Sequence, residues 1–333
     1  MRRSCLVVAA LAVAVCGSLT AQTRYNRATD WGERPAGLAW AAVIGAEPGP
    51  DGNIYVLHRC YDNSCAGRSE APFMVFDPSG KLLRSWGQGQ FVFPHGFYVH
   101  RDGHVWATDG QGRDGTGHQV FEFSADGRLL RTLGKAGIAG DGPDVFNQPT
   151  DVVVSPSGEI FVSDGHRETG NNRIVKFSKD GQFIKAWGRK GSGPGEFHEP
   201  HTIAMDSQGR LFVGDRVNNR IEVFDQDGAF LAEWKQFGRP SGIYIDRRDI
   251  IYVADSESGT SAPTSASGFR KGIRIGSAKT GQVSAFIEDI ESNSTEPSGA
   301  EGVGADAAGH VFGAVVRRKM LERFTPVVPA QRP

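Results

Sequence analysis

Short apolar runs alternate with glycine-bearing polar turns along most of this chain, in a fixed order. In "QPTDVVVSPSGEIFVSDG", residues 148–165, a proline precedes an apolar run of strand length, a turn carries glycine, and a second apolar run ends on aspartate. "FPHGFYVHRDGHVWATDG" and "PHTIAMDSQGRLFVGD" repeat the phrase, and the pairs Pro94 and Asp109, Pro149 and Asp164, Pro200 and Asp215, and Pro240 and Asp255 are each 15 residues apart. Runs this short, rich in Val, Ile and Phe and bounded by Gly, Asp and Ser, predict β-hairpins. A third and often a fourth run follow, as in "RIVKFS" and "FIKAWG". Four-stranded units recurring at about 40–55 residues predict the blades of a propeller.

Two degenerate copies extend the series. "VIGAEPGPDGNIYVLH", residues 43–58, keeps the turn glycine with Val43 and His58 at its ends, and "AEGVGADAAGHVFGAV", residues 300–315, does so with Ala300 and Val315. The expected fold is thus all-β, a six-bladed propeller over residues 37–326, with a tail at 327–333. The last blade lacks an outer strand of its own. The segment 22–36 is expected to supply it, through "ATDWGER" at 28–34, and so to remove an exposed edge.

Composition agrees with many short strands and tight turns, since 44 of the 333 residues are glycine. A formal charge of −1, with no long run of one sign, excludes an electrostatic footprint for nucleic acid. The first 21 residues carry two arginines, an apolar stretch from Cys5 to Val15 and small residues ending at Ala21. This is the layout of a cleaved secretory signal, too short for a span of about 20 residues. A secreted or periplasmic chain without a membrane span is expected; a lipoprotein would need a small residue before Cys16, where Val15 stands. Cleavage leaves Cys60 and Cys65, which in an oxidising compartment are expected to close a disulfide loop. Two sulfurs alone cannot complete a structural zinc shell.

The residue after the proline position reads, around the ring, Ile44, His95, Thr150, His201, Ser241 and Glu301. Metal-binding side chains fall on blades 2, 4 and 6, about 120° apart in a closed six-blade ring lined by innermost strands. His95, His201 and Glu301 are therefore expected to converge on the axis and bind zinc or another divalent metal as a facial set with open positions. The competing reading has these histidines capping strand starts at a wet channel mouth. The loops after Arg59, Asp109, Asp164, Asp215 and Asp255 are expected to ring the same mouth as a funnel. The recurrent aspartate, present in blade after blade, reads as a turn cap.

These phrases, with "NRIVKF" and "NRIEVF", resemble NHL repeats, which form six-bladed propellers. The run "FPHGFYVHRDGHVWATD" with "FNQPTDVVVSPSGEIFVSDG", "GEFHEPHTIA" and "LHRC" resembles, more narrowly, peptidyl-α-hydroxyglycine α-amidating lyase, over roughly residues 37–325. That family holds zinc with three histidines at these slots, uses an arginine and a tyrosine on its substrate, and carries a scaffold calcium. The resemblance makes His95 and His201 zinc ligands and Arg59 the arginine that meets the substrate carboxylate. It also exposes three departures: Glu301 stands in place of the third histidine, Gly302 in place of a calcium-binding aspartate, and His166 in place of the tyrosine. His166 is then either the base that removes the substrate's hydroxyl proton or an exposed loop residue, and calcium is left open.

Two classes of function follow. One is a secreted metal-dependent lyase or hydrolase acting on a small-molecule or peptide substrate. The other is a non-catalytic propeller presenting its funnel to a peptide, glycan or protein. The phasing of His95, His201 and Glu301 favours the enzyme. A calcium-dependent lactonase is weakened by the lack of an acidic and amide cluster at these slots.

Overall fold

A computed structural model of the chain describes residues 23–35, 38–60, 62–260 and 268–327. The expected signal segment, and nearly all of the expected tail, lie outside them. The described residues form six four-stranded antiparallel sheets and no helix, so none is present that could cross a membrane. The innermost strands are Val43–Pro48, Pro94–Val99, Pro149–Val154, Pro200–Met205, Gly242–Ile245 and Gly302–Ala305. Five of the sheets run outward in chain order and the sixth does so for its first three strands, the arrangement of a six-bladed propeller.

The 15-residue spacing is the closure of the inner hairpin: Pro94 pairs with Asp109, Pro149 with Asp164, Pro200 with Asp215, and Val43 with His58. The aspartates cap, as their repetition suggests. Asp109 accepts the amides of Val92 and Phe93, while Asp164 and Asp215 accept the amides of Asn147 and His198 and the Nε–H of Arg173 and Arg220. The core is divided into six apolar wedges, one between each pair of adjacent blades. Phe73, Phe97 and Phe123 pack between blades 1 and 2, for example, and Phe161, Phe197 and Phe224 between blades 3 and 4.

Blade 6 takes its outer strand from the N-terminal side, but from Tyr25–Ala28 rather than from 28–34. Arg27 there forms an ion pair with Glu322. The pattern at 28–34 misleads because Trp31 is an apolar plug, not a strand residue. It packs against Phe76 and Phe312 over the seam between blades 1 and 6, and the chain turns at Gly32 (φ 98°) to let it do so.

Blades 1 and 6 also meet through backbone. A Cβ added at Gly302 would stand 2.1 Å from the carbonyl oxygen of Ile44, which cannot rotate away. Gly302→Ala is expected to lower stability by about 1–3 kcal/mol through overpacking, read as a fall in the denaturant midpoint. The same contact explains why this position has no room for the calcium-binding aspartate that the resemblance would place there.

Candidate metal centre

Each inner hairpin of blades 1 to 4 slips register directly after its first pair, so the next residue bulges out of the ladder. Those bulged residues include Ile44, His95, Thr150 and His201. A bulge re-aims a side chain, and here it frees His95 and His201 to face the axis. Both rings are buried, with centroids 4.6 Å apart. The Nδ1–H of His95 donates to the carbonyl of Thr150 at 2.8 Å, and that of His201 to the carbonyl of Ser241 at 2.7 Å. The intervening blades thus supply backbone oxygens that fix each tautomer and leave Nε2 as the free acceptor, the way protein ligands to metals are commonly oriented.

The third ring is His166. The loop after Ile160–Asp164 turns inward at Gly165 (φ 155°), whose position leaves no space for a Cβ beside the Asn172 amide, and both Gly165 N–H and His166 N–H donate to Gln148 O. His166 is only 9% exposed, which rules out the exposed-loop reading. Its ring lies 4.7 Å from that of His95 and 5.3 Å from that of His201. One ring nitrogen from each of the three falls within 4.8 Å of the others. His95 Nε2, His201 Nε2 and His166 Nδ1 are buried and have no hydrogen-bond partner. Three orphaned imidazole nitrogens sharing one small space are what a divalent cation would satisfy, and the donor set suits zinc. Burial holds the His95 and His166 rings well below the usual imidazole range, reinforced by neighbouring rings and by the charge of Arg59, so both are neutral donors.

Glu301, expected as the third ligand, comes to the edge of this group. Its Oε1 is 3.4 Å from His201 Nε2 and 3.9 Å from an Arg216 nitrogen, while its Oε2 accepts a hydrogen bond from Ser256 Oγ at 3.1 Å. Burial alone would raise its pKa. The neighbouring His201 ring, then the charges of Arg216 and Arg59, outweigh that and hold it well below the usual carboxylate range.

Arg59 leaves the second strand of blade 1 and is 3% exposed. Its Nε donates to Pro94 O and its Nη1 to Asn63 Oδ1, with the guanidinium 3.8 Å above the Phe93 ring. Nη2 is buried and unpartnered. Burial lowers its pKa to about 10, so it stays cationic at neutral pH. Cys60 and Cys65 are joined by a disulfide directly after it. The residues after Asp109 form an extended ribbon, Val105–Arg113 paired with Thr116–Phe123, instead of the expected loop.

The DUF5128 family model, described as a 6-bladed beta-propeller, matches residues 157–235. Peptidyl-glycine alpha-amidating monooxygenase B of Xenopus laevis is 37% identical over 211 residues, 56% of this chain and 23% of that protein. Peptidyl-alpha-hydroxyglycine alpha-amidating lyase 1 of Drosophila melanogaster is 34% identical over 157 residues, 41% of this chain and 27% of that protein. This chain thus spans about a quarter of the length of these amidating relatives. NHL repeat-containing protein 3 of Mus musculus is 32% identical over 230 residues, covering 64% of this chain and 62% of that protein. Among solved structures, a streptogramin B lyase superposes with a TM-score of 0.56 at 14% identity, covering 92% of this chain and 98% of that one. A gluconolactonase of Xanthomonas campestris does so at 0.59 and 14%, covering 92% and 95%. At such identities these two speak for the fold alone. The chain is a six-bladed β-propeller whose relatives include amidating lyases and an NHL repeat protein.

Proposed function

We propose that this chain is an exported, metal-dependent lyase that cleaves a small or peptidyl N-acyl-α-hydroxyglycine into an amide and glyoxylate. The observation that carries the reading is the buried triangle of His95, His166 and His201 with its three unpartnered nitrogens, beside the free Nη2 of Arg59. The amidating relatives support it through their names. The apolar leader at residues 1–21 and the Cys60–Cys65 bridge suit an oxidising, extracytoplasmic address.

The three histidines would hold the metal, zinc by donor type. When bound, it supplies Lewis acidity toward the hydroxyl and carboxylate oxygens of the substrate. Arg59 offers Nη2–H to the carboxylate from a guanidinium already held on its other donors, which orients the α-carbon at low entropic cost. In the reaction the C–N bond breaks and its electron pair goes to nitrogen. The O–H pair becomes the second bond of the new carbonyl, and the hydroxyl proton must reach the departing nitrogen. Once His166 joins the ligands, the role of proton carrier passes to the Glu301 carboxylate, braced by Ser256 Oγ at the edge of the rings.

The test uses N-benzoyl-α-hydroxyglycine. The purified protein should release benzamide and glyoxylate in equal amounts, lose that activity on chelation and regain it with zinc. Metal-loaded protein that releases no glyoxylate would overturn the lyase. The second reading, a non-catalytic propeller, would then take its place, and the NHL repeat relative, whose name carries no reaction, favours it.

A further inference from the structure

Arg59 is held by a small covalent ring that no catalytic reading requires. The Cys60–Cys65 bridge closes a sequence separation of 5 immediately after Arg59, with both cysteines buried among the aromatic residues of the wedge between blades 1 and 2. Inside this ring lies Asn63, whose Oδ1 accepts the Arg59 Nη1–H at 2.8 Å. The ring is docked at several points. Ser64 Oγ–H and Cys65 N–H both donate to Val92 O, Ala42 N–H donates to Asp62 O, and Arg59 N–H donates to Ala42 O. Val92 and Phe93 lead into Pro94, whose carbonyl accepts Arg59 Nε–H and which precedes His95. The ring therefore fixes the guanidinium to the same backbone segment that carries a metal-centre histidine. Cys60 itself sits at φ 54°, a left-handed conformation that a non-glycine residue adopts at a cost and that tertiary constraint must hold.

We propose that Asn63, held in place by the Cys60–Cys65 bridge, is a positioning residue that aims Arg59 Nη2 at the carboxylate of an α-hydroxy or α-oxo acid. Of the guanidinium's three nitrogens, Nε is taken by Pro94, Nη1 by Asn63, and only Nη2 is left for a ligand. Without Asn63, the Nη1 donors lose their fixed acceptor. The planar fork can then swing as a unit about the Cδ–Nε bond, and carboxylate recognition, which depends on where that fork points, loses its preorganisation. Asn63 is exposed, so its truncation should leave the fold intact.

The inference rests on the reading of the mouth as a carboxylate site, and glyoxylate is the probe. Calorimetry on zinc-loaded protein should show Asn63→Ala binding glyoxylate about tenfold more weakly at unchanged metal content, with KM for N-benzoyl-α-hydroxyglycine raised and kcat little moved. Asn63→Asp, which keeps an acceptor oxygen, should restore binding. The Cys60→Ser/Cys65→Ser double variant should show the same weakening, and adding Asn63→Ala to it should cost little more, because the two changes remove one unit. Asn63→Ala, which leaves the bridge intact, carries the test if the double variant does not fold. Wild-type binding matched by Asn63→Ala overturns the positioning role alone. A wild type that binds no glyoxylate overturns the carboxylate reading and the brace with it.

Discussion

Replacing His166 by alanine is expected to strip the protein of its metal. If the centre is His95, His166 and His201, the variant keeps two rings with their backbone braces, and two ligands seldom retain zinc at a site built for three. Stoichiometry after dialysis should fall from near one to near zero. Affinity should drop by more than the roughly 10–100-fold that loss of a mere orienting partner costs. Elemental analysis of wild type and variant, each with circular dichroism to show an intact fold, makes the measurement. Equal metal in both would return the third position to Glu301 and His166 to the substrate.

Glu301→Gln separates the two roles from the other side. The amide keeps the size of the side chain and an oxygen to accept from Ser256, and Arg216 retains Glu199 at 2.7 Å and Glu257 at 3.4 Å as charge partners. Metal content should therefore stay at the wild-type level. The substituted amide cannot carry a proton, so kcat should fall by about 10²–10⁴ with KM nearly unchanged. Loss of metal in this variant would make Glu301 a ligand and end its role as proton carrier.

The blades and the axial direction of His95 and His201 could be read from the chain because both follow from a period. A constant 15-residue closure puts equivalent residues at equivalent depths, and the bulge that turns them inward falls directly after each proline in blades 2 to 4. His166 also lay in plain view, two residues past the capping Asp164. No periodicity governs a loop, however, and the inward turn depends on Gly165 and on two hydrogen bonds to Gln148, a residue 18 positions upstream of His166. The extended ribbon at Val105–Arg113 was hidden for a like reason, since its glycines resemble a loop until they pair. Thr150 and Ser241 appeared as idle slots because the pattern reports side chains, and their contribution is made through carbonyl oxygens. The orienting of Arg59 by Asn63 depends on a contact inside a closed ring, which spacing does not encode.

The strand Tyr25–Ala28 gives the molecule a clasp, and a clasp has a timetable. Arg27 and Glu322, which meet across it, are separated by 295 positions, so this pairing closes a loop costing about 2–3 kcal/mol more in chain entropy than an inner hairpin. During vectorial synthesis the first strand of the ring must wait, unpaired, until nearly all the rest has emerged. Glu301 precedes the inner strand of the same blade, so the full mouth, rings and carboxylate together, is assembled only as the circle shuts. The three rings stand on blades 2 to 4, so the metal they would hold needs no closed circle; what waits for the last joint is the carboxylate, and with it the proton carrier of the proposed reaction.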